Sequence, residues 1–587
     1  MQAQWRKYFL CLGLTASLLT GSGCMMGGGH GGHGGGAGMQ EMPGATLTSL
    51  SPSTVTAGGP PFVLTVNGSG FVAGGTIFVN GTGFPYNFAS STQVTVAIDG
   101  GSIANAGSIS IVVTIPTPNT LQSNSLTLTI TPHSSQACVL FGLNRFLFTG
   151  FDSTGPVTLA GSFGVDSQGN VNGEEDFKDS ATVRTAQPIT GGTCTNDSTI
   201  TNQGVLTVST PAGTSTYTFV LQQGGGGVPR GRLAESGDTT GISGSGIFVE
   251  SPPDGFFSGD YAFGVVGNDS SGSRMSMIGR FTDSNSGSFD TPGDLGSGLG
   301  DINDGGIVTP STAITGTISV PDVYSRCDTT LEIGSQTLQL VIYVNSSNGG
   351  FVMDVDSGST PLLGGVISAQ ANSGAYSNGY LSAPVVFSTW GVNPDTPQSS
   401  ATSVGIASGF DPSTGTLNLQ LDTVSGGVAS LNLAASGTYS IASNGRATLS
   451  YIAGGKTFND VLYLDDLNDG YILGTGNTVD FGFFEAQAAG PFDNTTISGA
   501  TFAGATWFPP VSTSPNTAAE ITFSDPNITA GSLTGTYTVQ PSGRGMATVN
   551  MPIFGSNDLV FYIIGAGSIE FMGSDNVTND AITFLHF

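Results

Sequence analysis

Phe146-Leu147-Phe148-Thr149-Gly150-Phe151-Asp152-Ser153-Thr154-Gly155 returns, altered but in register, as Phe263-Gly264-Val265-Val266-Gly267-Asn268-Asp269-Ser270-Ser271-Gly272. Both stretches run apolar residues into a GxDxxG segment. Each is followed by a second run, ending in Gly161-Ser162-Phe163 or Gly279-Arg280-Phe281, and then by an acidic turn at Asp166 to Gly169 or Asp283 to Gly287. An Asp at the first turn position accepts from nearby backbone N–H groups, and a later Gly supplies the left-handed conformation, so the segment is predicted to close a hairpin. Nearer the C-terminus, Gly437-Thr438-Tyr439-Ser440-Ile441 leads to Gly445-Arg446, and Gly535-Thr536-Tyr537-Thr538-Val539 leads to Gly543-Arg544 at the same spacing.

This self-similarity, with a period of about 115 residues, divides the chain beyond Pro132 into four repeats: 137–253, 254–370, 371–487 and 488–587. About eight strand-like runs in the first repeat, short loops and no helical periodicity predict an up-and-down antiparallel meander. Two closures fit that pattern, a small barrel or a two-sheet sandwich; a barrel leaves no exposed edge. Composition agrees with an all-β chain. Of 587 residues 91 are Gly and 9% are charged, while 38% hydrophobic content with 35 Phe is enough for several modest cores.

Upstream, from 46 to 132, apolar residues alternate at Phe62, Leu64 and Val66, at Val94, Val96 and Ile98, at Ile109, Ile111, Val113 and Ile115, and at Leu126, Leu128 and Ile130. Period-two alternation with turns at Gly58-Gly59-Pro60-Pro61 and Asn80-Gly81 predicts a compact β-sandwich. Leu50-Ser51-Pro52, Ala57-Gly58-Gly59 and Leu64-Thr65-Val66-Asn67-Gly68-Ser69-Gly70-Phe71 resemble the IPT/TIG family over the whole segment. The resemblance implies an Ig-like fold serving as a spacer or interaction module. Gly68 and Gly70 are both expected to take positive φ where the strand turns and Phe71 enters the core. The four repeats resemble those of large exported lipoproteins of Acidobacteria, which implies no particular activity.

The N-terminus reads as a secretory signal, residues 1–23: Arg6 and Lys7, an apolar stretch from Tyr8 to Leu19, then Thr20-Gly21-Ser22-Gly23 before Cys24. The small residues before Cys24 resemble a bacterial lipobox, which implies diacylation of Cys24. Gly21 departs from the usual aliphatic. Met25 and Met26, rather than Asp, favour the outer membrane by resemblance to proteobacterial sorting. Residues 24–45, with Gly27-Gly28-Gly29-His30-Gly31-Gly32-His33, bury nothing and read as a flexible tether. Of the remaining cysteines, Cys138 and Cys194 fall within one repeat and are expected to form a disulfide, with Cys327 left free or buried.

Net charge is −28, without any basic stripe, which argues against a nucleic-acid partner. No GxSxG elbow, HExxH or Walker loop occurs, and no His sits in a catalytic constellation, so no enzymatic role and no cofactor is expected. Carboxylate groups such as Asp465-Asp466, Glu174-Glu175-Asp176 and Asp301-Ile302-Asn303-Asp304 read as solvated turns. Asp290, Asp294, Asp301, Asn303 and Asp304 crowd one loop with hard oxygen ligands, making them candidates for calcium, although EF-hand spacing is absent. Trp390 and Trp507 sit in apolar strand settings that suit a core rather than a sugar platform.

Together these readings predict a non-catalytic, lipid-anchored protein at the cell surface. It would touch the membrane through its N-terminal lipid and act as a spacer, adhesion or envelope-binding array with a surface protein or polysaccharide partner. Two alternatives remain at this level: a small-ligand carrier or carbohydrate-active protein using a barrel mouth, and an outer-membrane β-barrel, suggested by the terminal Phe587. A hollow repeat with converging polar groups would favour the first.

Overall fold

A computed structural model describes the chain from residue 44 to 573, except 222–229, 251–258, 284–292, 506–517 and shorter loop stretches. The signal segment, Cys24, the tether histidines, Asp290, Trp507 and Phe587 lie outside the described residues. Everything described is strand or loop apart from three 3-10 turns, at Gly101–Ile103, Asn378–Tyr380 and Asn494–Thr496.

The first domain is a sandwich. One sheet pairs Thr46–Ser51, Phe62–Ser69, Gln93–Ile98 and Asn87–Ser90; the other contains Leu126–Thr131, Gly107–Ile115 and Thr76–Val79. The alternating Leu64, Val66, Val94, Val96, Ile109, Ile111, Val113 and Leu128 meet in one core, as expected of strands with one buried face. One expectation needs correcting. Gly70 does take positive φ, at 78°, but Gly68 does not. Gly68 is required for space instead: a Cβ there would lie 2.1 Å from the Thr46 carbonyl oxygen and 2.8 Å from the Phe71 ring.

Repeats 2 and 3 each close into a barrel of eight antiparallel strands in sequence order, from Gly259–Asn268 to Leu362–Ala369 and from Val385–Asn393 to Val479–Ala486. The barrel is therefore the closure adopted, and the sandwich is not. Repeat 1 forms a nine-stranded sheet because a short strand, Cys194–Asn196, is added; its two edges approach through single bridges at Asn170/Thr193 and Gly191/Ser209. The Cys138–Cys194 disulfide, with Cα atoms 5.6 Å apart, pins that added strand. Among the described residues repeat 4 has seven strands, Thr501–Ala505 to Ser568–Gly573. The hairpin turns form as expected: Asp152 Oδ1 accepts from the N–H of Thr154 and Gly155, and Asp269 Oδ1 from those of Ser271 and Ser273.

Many barrel strands carry apolar residues on both faces. In repeat 2 Phe263, Val265, Met275, Met277, Leu340 and Leu363 fill the interior. Their outward neighbours Ala262, Val266, Ile278, Val341, Tyr343 and Phe351 join a second cluster with Leu147 and Ile247 of repeat 1 and Trp390, Val461, Tyr463 and Phe481 of repeat 3. Burial on both faces explains why these strands read as continuous apolar runs rather than clean alternation. The repeats touch in cyclic order: 1 with 2, 2 with 3, 3 with 4, and 4 with 1, the last through Thr501–Ala505 and Arg230–Asp238. The sandwich rests on repeat 1, where a Cβ at Gly164 would meet Pro60 at 2.1 Å.

Candidate functional site

Two features carry chemistry beyond a packed β-core: a polar joint repeated between successive barrels, and a cavity inside repeat 3. The joint is built from three side chains. Asp176, Asp301 and Asp422 lie on the third strand of repeats 1, 2 and 3, each fully buried and each at a register break in the ladder to the fourth strand. Such bulges re-aim a side chain out of the normal alternation. Here each carboxylate turns toward the next repeat and meets an arginine in side-on, two-bond geometry. Arg326 Nε and Nη2 donate to Asp176 at 2.8 and 3.0 Å, Arg446 to Asp301 at 2.8 and 2.6 Å, and Arg544 to Asp422 at 2.7 and 2.7 Å.

A tyrosine directly across the ladder from each arginine completes the joint. Tyr343 and Tyr463 donate to the same carboxylates at 2.6 and 2.7 Å, and Tyr562 does so to Asp422. The fourth hydrogen bond comes from a backbone N–H ten residues past the Asp, at Ala186, Ser311 and Asn432. Those three residues all have positive φ, 49°, 51° and 55°, although none is glycine. Local strain of about 1 kcal/mol or more at each is retained because the N–H then points at the carboxylate. Every acceptor site of each Asp is filled, the condition under which a buried charge is tolerable. Burial, reinforced by the Asp charge, holds the three tyrosine hydroxyls above their ordinary range and keeps them as donors.

Position two past each Asp differs between joints. Lys178 of repeat 1 pairs with the buried Asp354 of repeat 2. Asn303 of repeat 2 donates to the carbonyls of Gly474, Gly476 and Thr478 in repeat 3 at 2.8, 3.2 and 3.1 Å. Val424 of repeat 3 packs with Val560 and Met572 of repeat 4. The common joint sets the geometry, and this neighbouring position makes each interface chemically distinct. Repeat 1 has Gln203 opposite Val220 where its successors have Arg and Tyr, and the third-strand hairpin of repeat 4, Asn527–Ala530 with Leu533–Val539, is short. The fourth contact is therefore made otherwise, with the buried Arg232 of repeat 1 near Glu570 of repeat 4. Burial lowers the Arg232 pKa to about 9 and the Glu570 charge opposes that shift.

The cavity follows from comparing repeats 2 and 3 strand by strand. The ladders Tyr343/Phe351/Val366 and Tyr463/Tyr471/Phe483 superpose the two barrels, which places Asp460 where repeat 2 has Leu340 and Asp480 where it has Leu363. By the same ladders Thr389 replaces Val265, Ser403 replaces Met277, Ala401 replaces Met275 and Ala407 replaces Phe281. All six of the repeat 2 residues belong to its interior cluster. Loss of that bulk leaves a cavity of about 350 Å³ in repeat 3, opening among Asn393, Ser425, Thr457, Asn459 and Thr478. It continues into an apolar chamber of about 40 Å³ lined by Phe387, Leu419, Tyr439, Leu462 and Phe484. Thr389, Ser403, Phe458, Asp460 and Asp480 line both parts and form the waist between them.

The waist is electrostatically uncompensated. Among the described residues neither Asp460 nor Asp480 has an ion-pair partner, and Asp480 Oδ1 is enclosed without a hydrogen-bond partner. Burial pushes the Asp480 carboxyl up to about 6, against the Thr389 hydroxyl and the Gly474 N–H, which favour its charge. Burial and the neighbouring Asp480 push Asp460 well above the usual carboxylate range. A Cβ at Gly474 would lie 1.8 Å from Asp480 Oδ1, so glycine is what lets the carboxylate lie over the seventh strand.

The four described calcium candidates are not brought together. Asp301 and Asn303 point into the repeat 2–3 joint, Asp294 is exposed on its strand, and Asp304 stands near Asp269, whose charge adds to burial in raising its pKa. Among the described residues no group of three or more His, Cys, Asp or Glu could hold a metal ion. Cys327 is free and lies in the repeat 2 interior. Trp390 is buried against Phe481 and Phe483, as its setting suggested. In the sequence Asp176 and Asp301 stand in acidic runs that read as turns, and nothing local marks Asp422, Arg326, Tyr343, Tyr463 or Tyr562.

An Ig-like sandwich followed by barrels with buried polar joints defines an all-β, array-type protein. Residues 45–130 match the IPT/TIG domain family and form that domain. No curated protein matches the chain.

Proposed function

We propose that this chain is a non-catalytic, lipid-anchored display array, in which four interlocked β-repeats, two of them closed barrels, hold an IPT/TIG module in fixed orientation at the outer surface of the cell. The observation that carries the reading is the threefold Asp–Arg–Tyr joint: a spacer with independent beads needs no buried ionic contact between neighbours. Removing one partner of such a contact leaves an unpaired buried charge, at a cost of about 3–5 kcal/mol. Anchoring rests on the signal-like N-terminus and on Cys24. The apolar interior of repeat 2 speaks for a protein outside the bilayer, since transmembrane barrels place polar groups inside and apolar ones toward lipid.

Globomycin treatment of cells making the full chain is expected to leave the precursor unprocessed, and protease added to intact cells to remove the mature protein. A Cys24→Ala form that still fractionates with the outer membrane, or a mature chain resistant to external protease, would overturn the reading.

A further inference from the structure

The repeat 3 cavity is a chemical contrast to every other buried acid described at the joints. Asp176, Asp301 and Asp422 each have an arginine, and Asp354 has a lysine. Asp460 and Asp480 have no cation among the described residues, yet they flank one waist of an open cavity. Two carboxylates in a low-dielectric site without a counter-charge disfavour ionisation of both, and a positive group delivered from outside would relieve this directly. Lys456 stands on the rim but forms no ion pair with either.

The rest of the lining says what that positive group is attached to. Outward of the waist stand Asn393, Ser425, Asn459 and Thr478, with Ala401, Val424 and Leu433 beside them. Asn393 donates to Ser425 at 2.7 Å and accepts from Thr478 at 2.9 Å, and Asn459 accepts from Ser450 at 2.8 Å, so these groups offer a ligand their remaining lone pairs and N–H groups. Such a mixed wall suits a compact body that carries several hydroxyl groups on a carbon frame. The apolar chamber beyond the waist is too small for more than a few carbon atoms. Phe458, stacked on Tyr451 at 4.9 Å between centroids, lines the waist together with the two carboxylates, and an aromatic ring in such a lining also suits a cation. At about 350 Å³ the cavity is of the size that holds a small ligand rather than water alone.

We infer that the repeat 3 barrel binds a small, hydroxyl-bearing primary amine of the amino-sugar class, with its ammonium between Asp460 and Asp480 and its hydroxyls against the polar mouth. This goes beyond the display role and stands whether or not the chain is lipid-anchored.

Isothermal titration of the full mature chain with glucosamine tests it, with glucose as the neutral isostere. Saturable binding of glucosamine is expected, with glucose at least tenfold weaker. Asp460→Leu/Asp480→Leu restores the residues that repeat 2 carries in the same places, so it should fold, and it should weaken glucosamine at least tenfold; Asp480→Asn is the milder control, and Trp390 fluorescence reports that the fold is kept. Equal binding of the two sugars, no saturable glucosamine binding up to about 10 mM, tenfold beyond a millimolar Kd, or undiminished binding by both folded variants would overturn the inference.

Discussion

Repeats 2 and 3 share strand order, closure and joint chemistry, yet one barrel is filled and the other is hollow. In repeat 2 the inward positions carry Val265, Met275, Met277, Phe281, Leu340 and Leu363. In repeat 3 the same ladder positions carry Thr389, Ala401, Ser403, Ala407, Asp460 and Asp480. The ladders and outward-facing contacts therefore suffice to hold the barrel shape, and the interior is free to be used for something else. Repeat 3 keeps an apolar core with Leu417, Leu421, Tyr439 and Phe484, which encloses only the small inner chamber, and gives up most of its bulk beside the waist. The difference separates what folds a repeat from what a repeat can do.

The comparison breaks most visibly if repeat 2 is given the acids of repeat 3. Leu340→Asp/Leu363→Asp places two carboxyls in a closed apolar interior without Thr389, Ser403 or an open mouth to solvate them. A loss of more than about 5 kcal/mol is expected, enough to unfold the repeat in water, as read by denaturant titration followed at Trp390. A variant of near-normal stability would mean that the filled and hollow interiors are interchangeable, and that the contrast carries no meaning.

A smaller effect sharpens the same contrast through pH. The folded-state pKa of Asp480 is raised from 3.8 to about 6. The folded chain thus holds this proton more tightly than the unfolded chain does. Its favourable contribution is full below about pH 4 and is lost as pH rises through about 6; with allowance for solvent in the cavity it amounts to about 1–3 kcal/mol. Stability measured by urea titration is expected to fall between pH 4.5 and 7 more steeply in the wild-type chain than in Asp480→Asn. Parallel curves would show that the waist carboxyl does not titrate in this window. Repeat 2, with Leu363 at that position, has no such group to lose.

Much of the fold was legible because it rests on local signals. Alternation located the IPT/TIG strands, and GxDxxG located hairpins that the structure closes with Asp152 and Asp269. The choice between barrel and sandwich was not legible, since both satisfy the same run of strands. The joint was half visible. Gly445-Arg446 and Gly543-Arg544 stand out for their identical spacing; each glycine closes a turn at positive φ, but each arginine opens the next strand and reaches an aspartate 145 or 122 residues earlier. Nothing local marks that pairing. A search for Arg followed by Tyr across one hairpin would have recovered Ser325-Arg326 with Tyr343 as the third case. The cavity was invisible for a different reason: Asp460 and Asp480 face inward only because of a register that the two ladders fix together, and read singly each looks like a solvated acid.

The most direct measurement of the central claim is a double-mutant cycle on Asp301 and Arg446, using Asp301→Ala, Arg446→Ala and both, with denaturant unfolding followed at Trp390, which is buried in the cluster shared by repeats 1, 2 and 3. If the joint locks the barrels together, each single change costs about 3–5 kcal/mol, and the double change costs at least about 2 kcal/mol less than their sum, because the second removal takes away an already unpaired charge. Additive losses, or single losses under about 1 kcal/mol, would contradict the account and return the repeats to independent beads on a string.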